Sequence, residues 1–218
     1  MTNFITRPGE NYMQLKWLEP LLRVTGGYVA GGAFKNIFLG QKVKDIDIFF
    51  ETHSEWKKSV TNCRQLGFDV VYENDKVVAF RDDKTGVMFE LVGVDDPSSS
   101  VGYSNGPYFG MPRDVLRNFD FTVTQFAMVL DAEDDEDSVG FHVLFHPDFF
   151  EHLHMKRLVI DPDSGLPYPI STFERVLRYT KYGFGLCKES KALLIMGIKE
   201  SEETTLDGIN ASLYNGMD

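Results

Sequence analysis

The stretch from Tyr28 to Phe50 constrains this chain most, because it sets a glycine pair and two carboxylates into otherwise apolar sequence. Tyr28-Val29-Ala30 runs into Gly31-Gly32, a short helical segment follows, and Val43 to Phe50 carries Asp45 and Asp47 at i and i+2. Side chains two apart on a strand share a face, so the two carboxylates converge. Converging carboxylates repel each other unless a cation or a proton lies between them. Hard oxygen ligands with room for phosphate oxygens suit Mg²⁺, with Mn²⁺ as a substitute, and two such ions suit in-line phosphoryl or nucleotidyl transfer. Glycine at 31 and 32 lets backbone N–H groups approach phosphate oxygens without side-chain obstruction.

A third acid bears on the same site. Met88-Phe89-Glu90-Leu91-Val92 sets one carboxylate inside an apolar strand, where an unpaired charge is costly. Beside the strand 43–50 it would complete a three-carboxylate set. Alone, it would be a glutamate on an exposed strand face.

A hydrophobic content of 43%, with 18 Phe and 9 Tyr in 218 residues, is enough for one cored domain or a domain with a small appendage. Cys63 and Cys187 form no metal-like cluster, and no disulfide partner is expected for either. The N-terminus lacks the basic start and apolar core of a signal peptide. No apolar run approaches the roughly 20 residues that span a bilayer. A cytoplasmic protein with no membrane partner is the expectation. The net charge of −11 is concentrated in residues 131–137 and 200–218, leaving the rest formally neutral, and 171–199 is locally basic. Charge therefore permits a nucleic-acid partner without arguing for one. His146, His152 and His154 lack a zinc-site spacing, and the acidic run 131–137 lacks the residue order of a calcium loop, reading instead as a solvated hairpin tip.

Apolar spacing predicts a helix over 10–23, a short strand over Val24 to Ala30 interrupted by Gly26-Gly27, and helical turns over Ala33 to Leu39 closed by Gly40. A helix over 54–66 follows, then strands Phe68–Tyr72, Lys76–Arg81 and Val87–Val92. Asp95 to Pro112 reads as a long loop, Pro112–Arg117 as a short helix, and Phe119–Leu130 and Gly140–Phe145 as strands. Helical signals dominate afterwards, over 148–155, Ser171–Phe184 and Lys188–Lys199. The expected organisation is an α/β head over 1–145, a small helical neck over 146–200 and an acidic tail over 201–218.

Gly31-Gly32, twelve intervening residues, Asp45-x-Asp47 and the later apolar-Glu90-apolar segment resemble the nucleotidyltransferase superfamily, the polymerase-beta-like fold of poly(A) polymerases and tRNA CCA-adding enzymes. The resemblance is nearest to the bacterial poly(A) polymerase and CCA-adding branch and covers roughly residues 12–185. That branch has a Gly-Gly-x-Val-Arg-Asp segment, for which Gly31-Gly32-Ala33-Phe34-Lys35-Asn36 stands here with Arg replaced by Lys and Asp by Asn. Its Arg-Arg-Asp-Phe-Thr segment, which holds the nucleotide ribose, is matched by Asn118-Phe119-Asp120-Phe121-Thr122, with both arginines gone and Arg113 and Arg117 just upstream. Its base-reading Glu-Asp-x-x-Arg-x-x-Arg segment is matched at Arg175 and Arg178, with Ser171-Thr172 in place of the acidic pair.

The resemblance implies an α/β (α+β) head with a mixed sheet and a small helical C-terminal region. It implies that Asp45, Asp47 and Glu90 hold two Mg²⁺ ions. Gly31, Gly32, Lys35 and Arg113 or Arg117 would then meet the triphosphate, Asp120 the ribose, and Arg175 and Arg178 the base or phosphates. The implied reaction moves a nucleoside monophosphate from an NTP to a hydroxyl, releasing pyrophosphate, with an RNA 3′ end (tRNA included) as first acceptor. A compact member of the branch, of the kind carried by bacteriophages, fits the length. The Asn36 and Ser171-Thr172 departures keep open a non-catalytic nucleotide- or RNA-binding or inhibitory protein on the same fold. A nucleotidylyltransferase acting on a protein or small molecule is the third reading.

Overall fold

The computed structural model describes residues 1–74, 76–82, 86–93, 109–131, 140–164, 166–201 and 208–209. Among them, eight strands make one sheet: β1 (Ile5–Pro8), β2 (Tyr28–Ala30), β3 (Asp45–Phe49), β4 (Asp69–Glu73), β5 (Val77–Arg81), β6 (Met88–Val92), β7 (Phe126–Leu130) and β8 (Phe141–Phe145). Their order across the sheet is β1-β8-β7-β2-β3-β6-β5-β4. The sheet is mixed, with β3 and β6 running parallel and the other neighbours antiparallel. A parallel pair needs a crossover connection. Here it is made by α3 (His53–Gln65) together with β4 and β5, which extend the same sheet beyond β6.

Alternation along the strands divides the apolar residues between two faces. Val29, Ile46, Ile48, Val78, Phe80, Phe89 and Leu91 join the larger core cluster with Trp56 and Cys63 of α3 and Leu22 of α1 (Glu19–Thr25). The Trp56 indole N–H donates to the Leu91 carbonyl at 3.1 Å, pinning α3 to β6. A Thr52/Glu55 capping box starts α3. On the opposite face Tyr28, Ala30, Phe49, Val92 and Ala127 pack with Val115 and Leu116 of α4 (Pro112–Leu116) and with Phe119. Asp45, Asp47 and Glu90 alternate onto this second face, and none of them belongs to its apolar cluster.

The C-terminal part brings α5 (Phe149–His154), β9 (Arg157–Leu158), α6 (Pro169–Thr180), β10 (Gly185–Leu186) and α7 (Lys188–Glu200). It is tied to the segment that leads into β7 by the isolated bridge Phe121↔Ile160 and by the Thr122 and Asp161 amides, which donate to the Val159 and Asp120 carbonyls at 3.0 Å each.

Several elements differ from the sequence expectation. The helix expected over 10–23 is a 3₁₀ segment, Gly9–Leu18, followed by α1, with Pro20 in its first turn, where a missing N–H is harmless. The strand expected from Val24 is helix as far as Thr25. Gly26 and Gly27 then turn the chain at φ +69° and +68°, leaving only Tyr28–Ala30 extended. The strand expected from Phe119 begins at Phe126, because Thr122–Thr124 form a 3₁₀ turn. The helix expected from Ser171 starts at Pro169 and ends at Thr180. Strands β1, β9 and β10 had no expectation. Most of the long loop (94–108), of the acidic run (132–139) and of the tail (202–207 and 210–218) lies outside the described residues.

Candidate functional site

Parallel pairing sets Asp47 directly opposite Glu90, with Asp45 opposite Met88. Paired residues on neighbouring strands face the same way, so Asp47 and Glu90 are lateral neighbours and Asp45 lies one pleat away. Asp45 is exposed, and Asp47 and Glu90 are half-buried. The row continues outward, since Glu90 faces Ala79 of β5 and Ala79 faces Tyr72 of β4. The small side chain of Ala79 leaves the path open, and the Tyr72 hydroxyl donates to Glu90 Oε1 at 2.5 Å. Burial pushes the Tyr72 phenol above its ordinary value, the Glu90 bond and charge add to the rise, and the Asp47 and Asp45 charges contribute further. All three carboxylates therefore act on one hydroxyl.

The donor set is wholly carboxylate oxygen, the chemistry a hard divalent cation prefers. Among the described residues no three His, Cys, Asp or Glu side chains form a group that could hold a metal ion. A Mg²⁺ site here would rest on donor type and shared strand face alone.

Gly31 needs its glycine for a backbone reason: its φ is +100°, and its N–H donates to the Phe126 carbonyl at 3.0 Å. That amide serves the sheet and is not directed at a phosphate. Gly32 has ordinary helical angles, and a Cβ there would sit 3.5 Å from the Tyr179 hydroxyl, a normal contact. Lys35 lies in α2 (Ala33–Phe38) and is buried. Its ammonium donates to Asn36 Oδ1 at 2.7 Å and lies 4.8 Å from the Tyr179 ring centre and 5.7 Å from that of Tyr182. The aromatic faces compensate part of the charge burial.

The residues aligned with the ribose- and base-reading segments meet each other. Asp120 and Arg175 are 2% and 4% exposed. Asp120 Oδ2 accepts from Arg175 Nε at 3.0 Å, Arg175 Nη2 at 2.6 Å and the Thr172 hydroxyl at 2.7 Å. Arg175 Nη1 also donates to the Ser171 hydroxyl at 2.7 Å. Ser171 and Thr172, in place of an acidic pair, thus solvate this buried ion pair. Asp120 Oδ1 is buried with no hydrogen-bond partner among the described residues. Arg178 pairs with Glu174 at 3.1 Å on the half-exposed side of α6, and Arg117 approaches Asp114 at 3.4 Å, while Arg113 is exposed. His152 Nδ1 lies 2.9 Å from the Thr122 hydroxyl, a structural contact. Tyr72, Tyr179 and Tyr182 went unnoticed in the sequence. Only the strand register and the seating of α6 bring them to these positions.

The eight-stranded mixed sheet and its helices are consistent with a nucleotidyltransferase-like fold. Solved structures of a CCA-adding enzyme with CTP and with ATP match at 17% and 18% identity and TM-scores of 0.62 and 0.63, covering 95% of this chain and 50% of theirs. The Thermotoga maritima CCA-adding enzyme complexed with tRNA_CCA matches at 16% identity and a TM-score of 0.63, covering 98% of this chain and 52% of that one. At such identities the likeness is one of fold, and the chain spans about half the length of these structures. No curated protein matches by sequence. The family model described as Gabija anti-defense 2 family protein matches residues 8–156, and the chain belongs to that family.

Proposed function

We propose that this protein is a Mg²⁺-dependent nucleotidyltransferase that moves a nucleoside monophosphate from an NTP to a hydroxyl acceptor, with an RNA 3′ end as the favoured acceptor. The observation that carries this reading is the register of β3 and β6, which sets Asp47 beside Glu90 with Asp45 on the same strand face. In this reading Asp45, Asp47 and Glu90 hold two Mg²⁺ ions. The ions supply neutralisation of triphosphate charge and activation of the attacking hydroxyl. Gly32 supports the reading: neither its backbone angles nor its neighbours require glycine, and an open approach for a ligand would. The similar structures are of CCA-adding enzymes with CTP, with ATP and with tRNA_CCA, which favours an NTP and an RNA as partners.

The test is incubation with Mg²⁺ and each α-labelled NTP, with total RNA, with total protein and with neither. Wild-type protein is expected to label RNA, and Asp45→Ala or Asp47→Ala to abolish labelling while melting at the same temperature or slightly higher, because like-charge repulsion is relieved. Full activity in either variant would rule out the metal-dependent mechanism. Label in protein would move the acceptor class.

A second reading, a non-catalytic nucleotide- or RNA-binding protein, has specific support. Asp120 and Arg175 neutralise each other in the interior, and the Gly31 amide is taken by Phe126. Binding of NTP or RNA without label transfer in any fraction would favour it.

A further inference from the structure

We propose that the outer face of α6 and α7 is a docking surface for an acidic amphipathic helix of a partner protein. The inference is independent of the carboxylate row and of the reaction assigned to it. It starts from α7, where Ala192-Leu193-Leu194-Ile195-Met196-Gly197-Ile198 is an apolar run long enough to go round the helix nearly twice. A helix that is apolar on every side needs cover on every side. Here only Leu194 is buried, and Gly197 and Ile198 are half-buried, while Ile195 and Met196 are 65% and 55% exposed and Leu193 is exposed as well.

The neighbouring helix continues the patch. α6 and α7 pack together, and a Cβ at Gly197 would lie 3.2 Å from the Pro169 Cβ and 2.9 Å from Leu166 Cδ2, so the start of α6 sits beside the end of α7. Side chains four apart on a helix share a face. Phe173 and Leu177 follow Pro169 at that spacing along α6, and both are exposed. Leu193 precedes Gly197 at the same spacing along α7. Two apolar stripes therefore run out from one point of contact, Pro169–Phe173–Leu177 and Gly197–Leu193, and Met196 adjoins the second. Apolar anchors along the furrow between two helices are what an amphipathic helix docks on.

Charge selects the occupant. Lys181, Lys188, Lys191 and Lys199 are exposed on these helices or at their ends, and none of them is in an ion pair among the described residues. The acids there are Glu189 and Glu200, both exposed, and Glu174, which pairs with Arg178. The face is thus net positive on a chain whose net charge is −11. Acidic residues flanking an apolar stripe complement it. A second copy docked about a two-fold axis would set lysine against lysine. An anionic bilayer would be repelled by the chain as a whole and by Glu189 and Glu200 on the face itself.

The experiment uses the full chain and a fluorescein-labelled synthetic peptide in which leucines recur at i, i+3, i+4 and i+7 with glutamates between them. A counterpart peptide has lysine for every glutamate. Binding is read by fluorescence anisotropy at low and high salt. Wild type is expected to bind the glutamate peptide, more weakly as salt rises, and to leave the lysine peptide free. Leu193→Asp with Met196→Asp is expected to weaken binding by at least about tenfold, and Lys188→Glu with Lys191→Glu to reverse the preference between the peptides. All of these residues are exposed, so the variants are expected to keep the wild-type urea midpoint. Leu193→Ser with Met196→Ser replaces the aspartate pair if that chain does not fold. Equal binding of both peptides, binding of neither, or binding untouched by the substitutions would overturn the proposal. Self-association of wild type in sedimentation that Met196→Asp abolishes would also overturn it, making a second copy the occupant. Met196-dependent binding to vesicles of anionic lipid would overturn it in favour of a bilayer.

Discussion

Arg175 bears two incompatible readings at the scale of a single residue, and its surroundings separate them. A nucleotide ligand would need its guanidinium presented outward, yet three of its contacts are to Asp120 and Ser171 in the interior. Breaking a buried ion pair from one side strands the other charge and costs about 3–5 kcal/mol. Arg175→Met is therefore expected to lower stability in urea by roughly that amount, and Asp120→Asn in the same chain to recover part of it. A loss of NTP affinity at unchanged stability would return Arg175 to the nucleotide. The sequence resembles two segments of the poly(A) polymerase and CCA-adding branch at Asp120 and Arg175. It did not show that they would meet each other, since one lies after α4 and the other in α6, 55 residues apart. Tyr72 was illegible for a related reason: which residue faces Glu90 across β5 depends on a register shift that no local pattern encodes.

Elements were legible where apolar periodicity ran long enough. Strands β4, β5 and β6 were expected within a residue or two of where they lie, as was α3, because clear turns separate them. That Asp45 and Asp47 share a face follows from the period of a strand alone. Their placement beside Glu90 required knowing that β3 pairs with β6. Strands β1, β9 and β10 are too short or too irregular in composition to announce themselves, being four, two and two residues long. The Gly26-Gly27 pair misled because glycines inside an apolar run read as a strand irregularity, whereas here they end α1 and start β2. Gly27 has the stricter requirement. A Cβ there would lie 2.3 Å from the Phe49 carbonyl oxygen, on a backbone with positive φ, whereas Gly26 has open space around it. Gly27→Ala should destabilise the protein by more than about 1 kcal/mol and by more than Gly26→Ala does, as read by denaturant midpoints. Equal effects would mean that the turn, not the close approach of β2 to β3, sets the requirement.

For the whole molecule, histidines fold into the stability balance. Burial holds His146 below its ordinary value against the raising effect of Asp161 and Asp148, and burial likewise lowers His152 against Asp148. A histidine whose folded pKa is depressed binds fewer protons in the native state than in the unfolded chain between the two values. Its stabilisation is thus complete above the ordinary value of 6.5 and is lost as pH falls through the depressed native value. The urea midpoint is expected to fall on acidification from neutral pH, and His146→Gln with His152→Gln to flatten that slope. A midpoint that rises on acidification, or an unchanged slope in the double variant, would show that other groups govern the balance.

The parallel pairing of β3 with β6 has a consequence for how the protein is made. Asp45 and Asp47 leave the ribosome well before Glu90, and α3, β4 and β5 lie between the two strands in the chain. Non-local pairing of this kind closes slowly, after the loop entropy of the crossover has been met. The nascent chain therefore carries two aspartates without their partner until β6 slots in between β3 and β5. Tyr72 is synthesised before Glu90 and, once β5 is in place, waits at the sheet edge for it. Assembly of the carboxylate row is in this sense a checkpoint: only a chain whose crossover has folded in register acquires it, and a truncated or misregistered product displays the Asp45–Asp47 pair alone.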